Sequence, residues 1–225
     1  MISVLTITYK RHHLLEEAIE SFLRQTNSFA YEMVIVNDNP EVDYVFDHPL
    51  VRIINHKERF PSIAAKLKWG AEQCKYEYIY RLDDDDLLGP NGLYRVGNAI
   101  VENPGFEIYR SNSHYFFQDN TFKNLSDNIN NGNVYSKSYL NRITWPDKSG
   151  DEDADITFHH NASIYTINKP TMIYRWGMNT FHISGMGKQS NDVILEQADK
   201  SLSDLKGIID LSPNFKDNYY NQLLG

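Results

Sequence analysis

The sequence predicts an α/β fold, a mixed and mostly parallel sheet flanked by helices, on three observations. Four apolar stretches of strand length, at residues 2–8, 32–36, 51–54 and 76–82, read as strands, and the first, without clean alternation, reads as a strand covered on both faces. Apolar residues at helical spacing fill two of the intervals between them, which is the alternation of a parallel sheet. Three of the strands end in polar or charged clusters, and open α/β sheets bind ligands at those carboxyl ends.

Taken in order, Ile2 to Thr8 is β-branched and apolar and forms the first strand. From His13 to Gln25, Leu14, Leu15, Ala18, Ile19, Phe22 and Leu23 make one helical face, with Glu16, Glu17 and Glu20 on the other side. The next strand breaks at Asn37-Asp38-Asn39-Pro40, a turn-forming cluster. Val51 to Ile54 is a short third strand. Ser62 to Cys74 is a helix with Ile63, Ala64, Leu67 and Ala71 on one face, and Tyr76 to Leu82 is the fourth strand. Beyond Pro90, a helix over Gly92 to Glu102 is closed by Asn103-Pro104-Gly105. Phe106 to Phe117 is aromatic and strand-like, and Gln118 to Asn133 reads as a polar loop with a turn at Gly132. Ser136 to Arg142 is a short helix, Ser163 to Ile167 and Thr171 to Tyr174 are short strands, and Asn191 to Ile209 has a helical pattern. No repeat or Gly-, Pro- or Ser-rich linker divides the chain, so one domain over residues 1–190 and a helical tail over 191–225 are expected.

The 225 residues are long enough for a substantial core, and 41% hydrophobic residues with a mean hydropathy of -0.53 are those of a soluble globular protein. A net charge of -8 gives no electrostatic footing to nucleic acid or an anionic membrane. Cys74 is the only cysteine, which fits a reducing, cytoplasmic location. No apolar run reaches membrane-spanning length and the first residues lack the basic flank of a signal peptide, so no integral membrane association is expected.

Two acidic clusters carry the chemistry. Asp83-Asp84-Asp85-Asp86 follows directly on an apolar strand, where four like charges cannot spread apart as in a solvated tail. A hard divalent cation, Mg²⁺ or Mn²⁺, takes oxygen ligands of this kind. The competing reading is a helix start, where carboxylates complement the dipole. The second cluster, Asp151-Glu152-Asp153-Ala154-Asp155, reads either as a helix start of the same kind or as carboxylates that raise one another's pKa toward the working pH. No G-x-G-x-x-G follows the first strand, which argues against an ordinary dinucleotide site.

In their order along the chain these segments resemble the GT-A fold glycosyltransferases, specifically the family-two class of inverting nucleotide-sugar transferases. Ile2 to Arg11 is similar to that family's first strand and its Thr-Tyr-Asn-Arg turn, with Lys10 in place of Asn. Val34-Ile35-Val36-Asn37-Asp38 is similar to its Val-Val-Asp-Asp strand end, with Asn37 in place of the first Asp. Ser21 to Thr26 resembles the Gln-Thr ending of its first helix, Leu82 to Asp86 its Asp-x-Asp-Asp metal motif, and Gly150 to Asp155 the Glu-Asp motif of the catalytic base. The likeness runs from Ile2 to Ser184 and implies a nucleotide-binding half near 1–90 and an acceptor half near 91–190.

The resemblance implies that Thr8, Tyr9 and Asp38 hold the nucleobase and ribose of a nucleoside-diphosphate sugar, a UDP-sugar first of all. It places Asp85 and Asp86 on Mn²⁺ or Mg²⁺, Asp83 near the ribose or the metal, and Asp84 in the same nucleotide-side group as the least committed of the four. Lys66 is aimed at the nucleotide, Arg175 meets a phosphate or braces the sheet, and His182 completes the metal site. Asp153, with Asp151 and Glu152 as neighbours, is the general base that an inverting transfer requires opposite the leaving group. Tyr109, Tyr115, Phe116, Phe117 and the polar stretch 118–133 shape the acceptor side, the acceptor itself being unspecified. Two other readings stand beside this one: a sugar-phosphate nucleotidyltransferase, whose glycine-rich first loop is missing here, and a non-catalytic carbohydrate-binding protein on the same fold.

Overall fold

The computed structural model of the chain describes residues 1–125, 131–177, 189–202 and 204–224. At its centre β1 (Ile2–Thr8) is buried along almost its whole length. It is followed by α1 (His12–Leu23), β2 (Tyr31–Asn37), β3 (Val42–Val45), β4 (Val51–Asn55), α2 (Ile63–Gln73) and β5 (Tyr78–Arg81). Next come β6 (Leu87–Leu88), α3 (Gly92–Glu102), β7 (Ile108–Ser111), β8 (His114–Gln118), β9 (Thr121–Leu125), β10 (Val134–Ser136), α4 (Lys137–Arg142) and α5 (Glu152–Phe158). The chain continues through β11 (Ile164–Ile167), β12 (Met172–Arg175), α6 (Asn191–Ser201), β13 (Gly207–Asp210) and α7 (Tyr219–Leu224).

The main sheet has seven strands in the order β11-β7-β10-β5-β1-β2-β4. Its β5-β1-β2-β4 half is parallel, β10 runs antiparallel to both β5 and β7, and β11 is parallel to β7. Alternate residues of the central strands feed two cores. Ile2, Val4 and Met33 face α1 and α3, whereas Leu5, Val34 and Val36 face α2 and α4. Cover on both faces is why these strands read as unbroken apolar runs. Ser62 begins α2 by accepting from the Ala65 amide at 3.2 Å, and Ser136 begins α4 by accepting from the Tyr139 amide at 3.2 Å, each meeting an amide that the helix leaves free.

Register places the site. Thr8 lies opposite Asn37, and Leu5 opposite Arg81, so Tyr9, Asp38 and the acidic run all leave the sheet at one edge. A second sheet, β6-β12-β8-β9, packs behind the acidic run and carries Arg175 to it.

Several elements differ from the sequence expectation. Residues 121–125 of the polar stretch form β9, whose ladder to β8 is supplied by backbone bonds that hydropathy does not report. Phe106 to Phe117 is divided between the two sheets. The tail is helical over Asn191–Ser201, but Ile208 and Ile209 belong to β13, paired in parallel with β3. Glu17 is not on the solvent side: it is 1 % exposed and pairs with the Arg175 guanidinium, beside the Tyr219 hydroxyl of α7. Breaking a buried ion pair from one side leaves an uncompensated charge, at a cost of about 3–5 kcal/mol. Glu17→Ala should therefore lower the urea midpoint by that amount of stability, and Glu17→Leu combined with Arg175→Met should recover most of it. An unchanged midpoint in Glu17→Ala would contradict this assignment.

Candidate active site

The acidic run is a turn that leaves β5 and is pinned from several directions. Asp86 is buried, and its carboxylate accepts from the Arg175 amide at 2.8 Å and from the Asn131 side chain. Asn131 reaches it because Gly132, at φ +80° with Met172 against it, makes a turn that a residue with a side chain cannot make there. Asp84 is fully buried and enclosed by Arg11, whose Nε lies 3.2 Å from it, and Arg11 also reaches Asp85 at 2.8 Å. Asp83, Asp85 and Asp86 each offer a carboxylate oxygen within 4.8 Å of the other two. Three hard oxygen donors so close together fit a divalent cation such as Mg²⁺ or Mn²⁺. Their protonation reports the same crowding: burial pushes the Asp86 carboxyl well above the usual range, and the charges of Asp85 and Asp83 push it further. Burial also raises Asp83 against the opposing Arg81, and lifts Asp84 to about 6 even beside Arg11.

Thr8, Tyr9, Asp38 and Lys66 line one crevice at the ends of β1 and β2. The turn after β2 is held by Asn37 and Asn39, whose side chains accept from the amides of Asn39 and Glu41, so Asp38 is not needed for it. Asp38 instead turns inward, paired with Lys66 at 2.5 Å and accepting from the Phe60 amide at 3.1 Å. Lys66 also donates to the Thr8 carbonyl at 2.6 Å, and burial lowers its pKa while Asp38 opposes the shift. Arg59 lies over the Tyr9 ring, 3.2 Å from its centre.

Arg81 joins the acidic run to the second carboxylate cluster. It contacts Asp83 at 3.3 Å, Glu152 at 2.8 Å and Asp153 at 3.7 Å. Asp151 precedes α5 in a left-handed conformation, at φ +55°, which turns the next two carboxylates inward. Glu152 is buried on Arg81, whereas Asp153 keeps about a quarter of its side chain exposed.

The structure therefore gathers most of the residues singled out in the sequence and repositions some. Arg175 does not reach a phosphate: it is 0 % exposed, pairs with Glu17 and donates to the Asp85 carbonyl, so it braces the acidic run from behind. Asp84 likewise faces Arg11 and the interior instead of the nucleotide side. Tyr109 and Phe117 are core residues, while Tyr115 and Phe116 stay partly exposed. His182 lies outside the described residues. Arg11, Arg59, Arg81 and Asn131 were not anticipated. An arginine inside the apolar run Tyr78-Ile79-Tyr80-Arg81-Leu82 was the available signal, since a buried guanidinium needs carboxylates.

A sequence profile described as glycosyl transferase family 2 matches residues 3–159. The poly(ribitol-phosphate) beta-N-acetylglucosaminyltransferase TarP of Staphylococcus aureus is 33% identical over 109 residues, 45% of this chain and 33% of that protein. An uncharacterized glycosyltransferase of Haemophilus influenzae is 28% identical over 112 residues, 48% of this chain and 37% of that protein. The matched stretch thus spans about a third of the length of these relatives. Among solved structures, S. aureus TarS 1–349 in complex with UDP-GlcNAc superposes with a TM-score of 0.63 at 16% identity, over 82% of this chain and 60% of that one. The complex of the same protein with UDP gives 0.60 at 16%, over 78% and 60%. The architecture is the GT-A one.

A carboxyl raised in the folded state binds its proton more tightly folded than unfolded. Its contribution to stability is complete below the unfolded pKa, about 3.9, and is lost as pH rises through the folded value, about 6 for Asp84. In EDTA, the stability of Asp84→Asn relative to the native chain should therefore increase between pH 4 and pH 6, on the order of 2 kcal/mol by urea denaturation. A difference independent of pH would contradict the shift.

Proposed function

Because the chain belongs to glycosyl transferase family 2, we propose that it transfers a sugar from a nucleoside-diphosphate sugar to an acceptor hydroxyl with inversion, as a hexosyltransferase-type enzyme dependent on Mn²⁺ or Mg²⁺. The carrying observation is that one sheet edge holds three elements side by side: the Thr8-Tyr9-Asp38-Lys66 crevice, the Asp83-Asp85-Asp86 cluster and, through Arg81, Asp153. A UDP-sugar is the favoured donor, since TarS was solved with UDP and UDP-GlcNAc and TarP is named a beta-N-acetylglucosaminyltransferase.

In this reading Thr8, Tyr9, Asp38 and Lys66 bind the nucleoside, and Asp83, Asp85 and Asp86 would hold the cation. When bound, the cation supplies Lewis-acid charge that offsets the negative charge developing on the leaving nucleoside diphosphate. Asp153 accepts the proton of the acceptor hydroxyl as its oxygen forms a bond to the anomeric carbon. The bond from that carbon to the diphosphate oxygen breaks, and its electron pair leaves with the nucleotide. Arg81, 3.7 Å from the Asp153 carboxylate, keeps it oriented. Tyr115 and Phe116, partly exposed on β8, belong to the acceptor side. Residues 1–190 act as one catalytic domain with 191–225 as its tail. Among the described residues no helix is long and apolar enough to cross a membrane, and Cys74, a buried thiol, fits a reducing cytoplasmic location.

UDP with Mn²⁺ should raise the melting temperature of the native chain, since a ligand at a hundred times its Kd stabilises by about 2.7 kcal/mol. Asp85→Asn should lose the metal-dependent part of that rise. Asp153→Asn should keep nucleotide binding and lose transfer, with turnover down by a factor of about 10²–10⁴. No shift with UDP, GDP or TDP, with or without metal, would overturn the proposal.

A further inference from the structure

The crevice at the ends of β1 and β2 is roofed by α6, which lies beyond the stretch matched to the family. Ile194, Leu195, Ala198 and Leu202 of that segment face Ile7, Phe60 and Ile63 across the opening. Ile194 and Ala198 are buried, yet they belong to none of the three apolar cores: the crevice itself is what buries them. The cavity left beneath the helix is about 80 Å³, far below the roughly 300–1,000 Å³ of a small-molecule site. The seated helix therefore narrows the room left for a nucleoside diphosphate.

The polar edge of α6 meets the cationic mouth of the same crevice. Asp199 accepts from the Tyr9 hydroxyl and lies 3.2 Å from the Arg59 guanidinium and 3.6 Å from Lys10 Nζ. A carboxylate thus occupies the groups best suited to an anionic ligand at the end of β1. Its side chain is 49% exposed, so these are surface ion pairs, individually weak and readily exchanged for a more highly charged anion. Past the helix the chain is fixed to the body by the β13–β3 ladder and the Lys206–Glu41 pair at 2.6 Å, and at its start Asn191 donates to the Asp147 carbonyl at 3.4 Å.

We propose that α6 is a self-occupying lid on the donor crevice: Asp199 stands in for the ligand's anion, and a nucleoside diphosphate displaces it to reach Lys10, Arg59 and Tyr9. The inference rests on the reading of the crevice as the donor site. Donor binding then requires opening, and the apparent affinity is reduced by the fraction of molecules that are closed.

The test is titration of the full chain with UDP in the presence of Mn²⁺, for the native chain, Asp199→Ala and Ile194→Glu. Asp199→Ala removes the stand-in anion, and Ile194→Glu places a charge on the apolar side of the helix, so the two unseat α6 by different means. Both should bind UDP about fivefold more tightly, and hydrogen exchange of the α6 amides in the native chain should speed up when UDP is added. If the native chain binds UDP and both variants bind it no more tightly, or UDP slows exchange in α6, the helix is a fixed wall of the site and the lid is wrong. If neither the native chain nor the variants bind UDP, GDP or TDP, the reading of the crevice as a donor site fails, and the lid with it.

Discussion

The structure depends on placing Asp83, Asp84, Asp85 and Asp86 side by side at the end of a strand, with Asp84 and Asp86 buried and Asp83 partly exposed. Adjacent carboxylates repel, and desolvation penalises each further, so the arrangement persists only where fixed positive charge and donors surround it. Three arginines from three distant places in the chain do this. Arg11 enters from the start of α1, Arg81 from the end of β5 and Arg175 from the end of β12. Two of the three bring a further carboxylate with them, Glu152 on Arg81 and Glu17 on Arg175. Carboxylates therefore outnumber guanidinium groups there, and Asp83, Asp85 and Asp86 lie close enough together for a cation to fit.

This neutralisation also integrates the chain. Arg175 ties the second sheet to the acidic turn through its amide and its guanidinium, and Glu17 ties the same side chain to α1. The Tyr219 hydroxyl of α7 completes the group, and its ring packs on Phe117 and Phe215. The last described residues are thus anchored to the back of the site whose front is roofed by α6. Arg81 performs the corresponding task in the other direction, since Asp83 and Glu152 sit on one guanidinium and the carboxylates of the acidic run and of α5 cannot move independently.

Much of this was legible in the sequence because it depends on local pattern. Strands covered on both faces announce themselves as apolar runs, and β1, β2 and β5 lie close to where periodicity and turn residues put them. The parallel-sheet rule then gathers Thr8, Tyr9, Asp38 and the acidic run at one edge before any contact is known. What escaped depends on pairing between distant residues. Glu17 falls on the polar side of a helical wheel, and nothing within α1 tells it from Glu16 or Glu20. Its buried partner lies more than a hundred residues away. The short strands β3, β6, β10 and β13 exist through their neighbours' ladders and carry almost no pattern of their own.

Backbone strain marks the same place. Lys10 holds φ +57° at the end of β1, and Asp151 holds φ +55° before α5, conformations that cost a residue with a side chain unless its surroundings fix them. Asn and Asp tolerate this region better than lysine does, which gives a physical reason for an Asn at the position where this chain has Lys10. Keeping a lysine there places an ammonium at the mouth of the crevice, within reach of Asp199 and Asp204. The strain, the cation and the carboxylates that answer it lie on the one edge of the sheet where the register of β1, β2 and β5 leaves the chain free to turn.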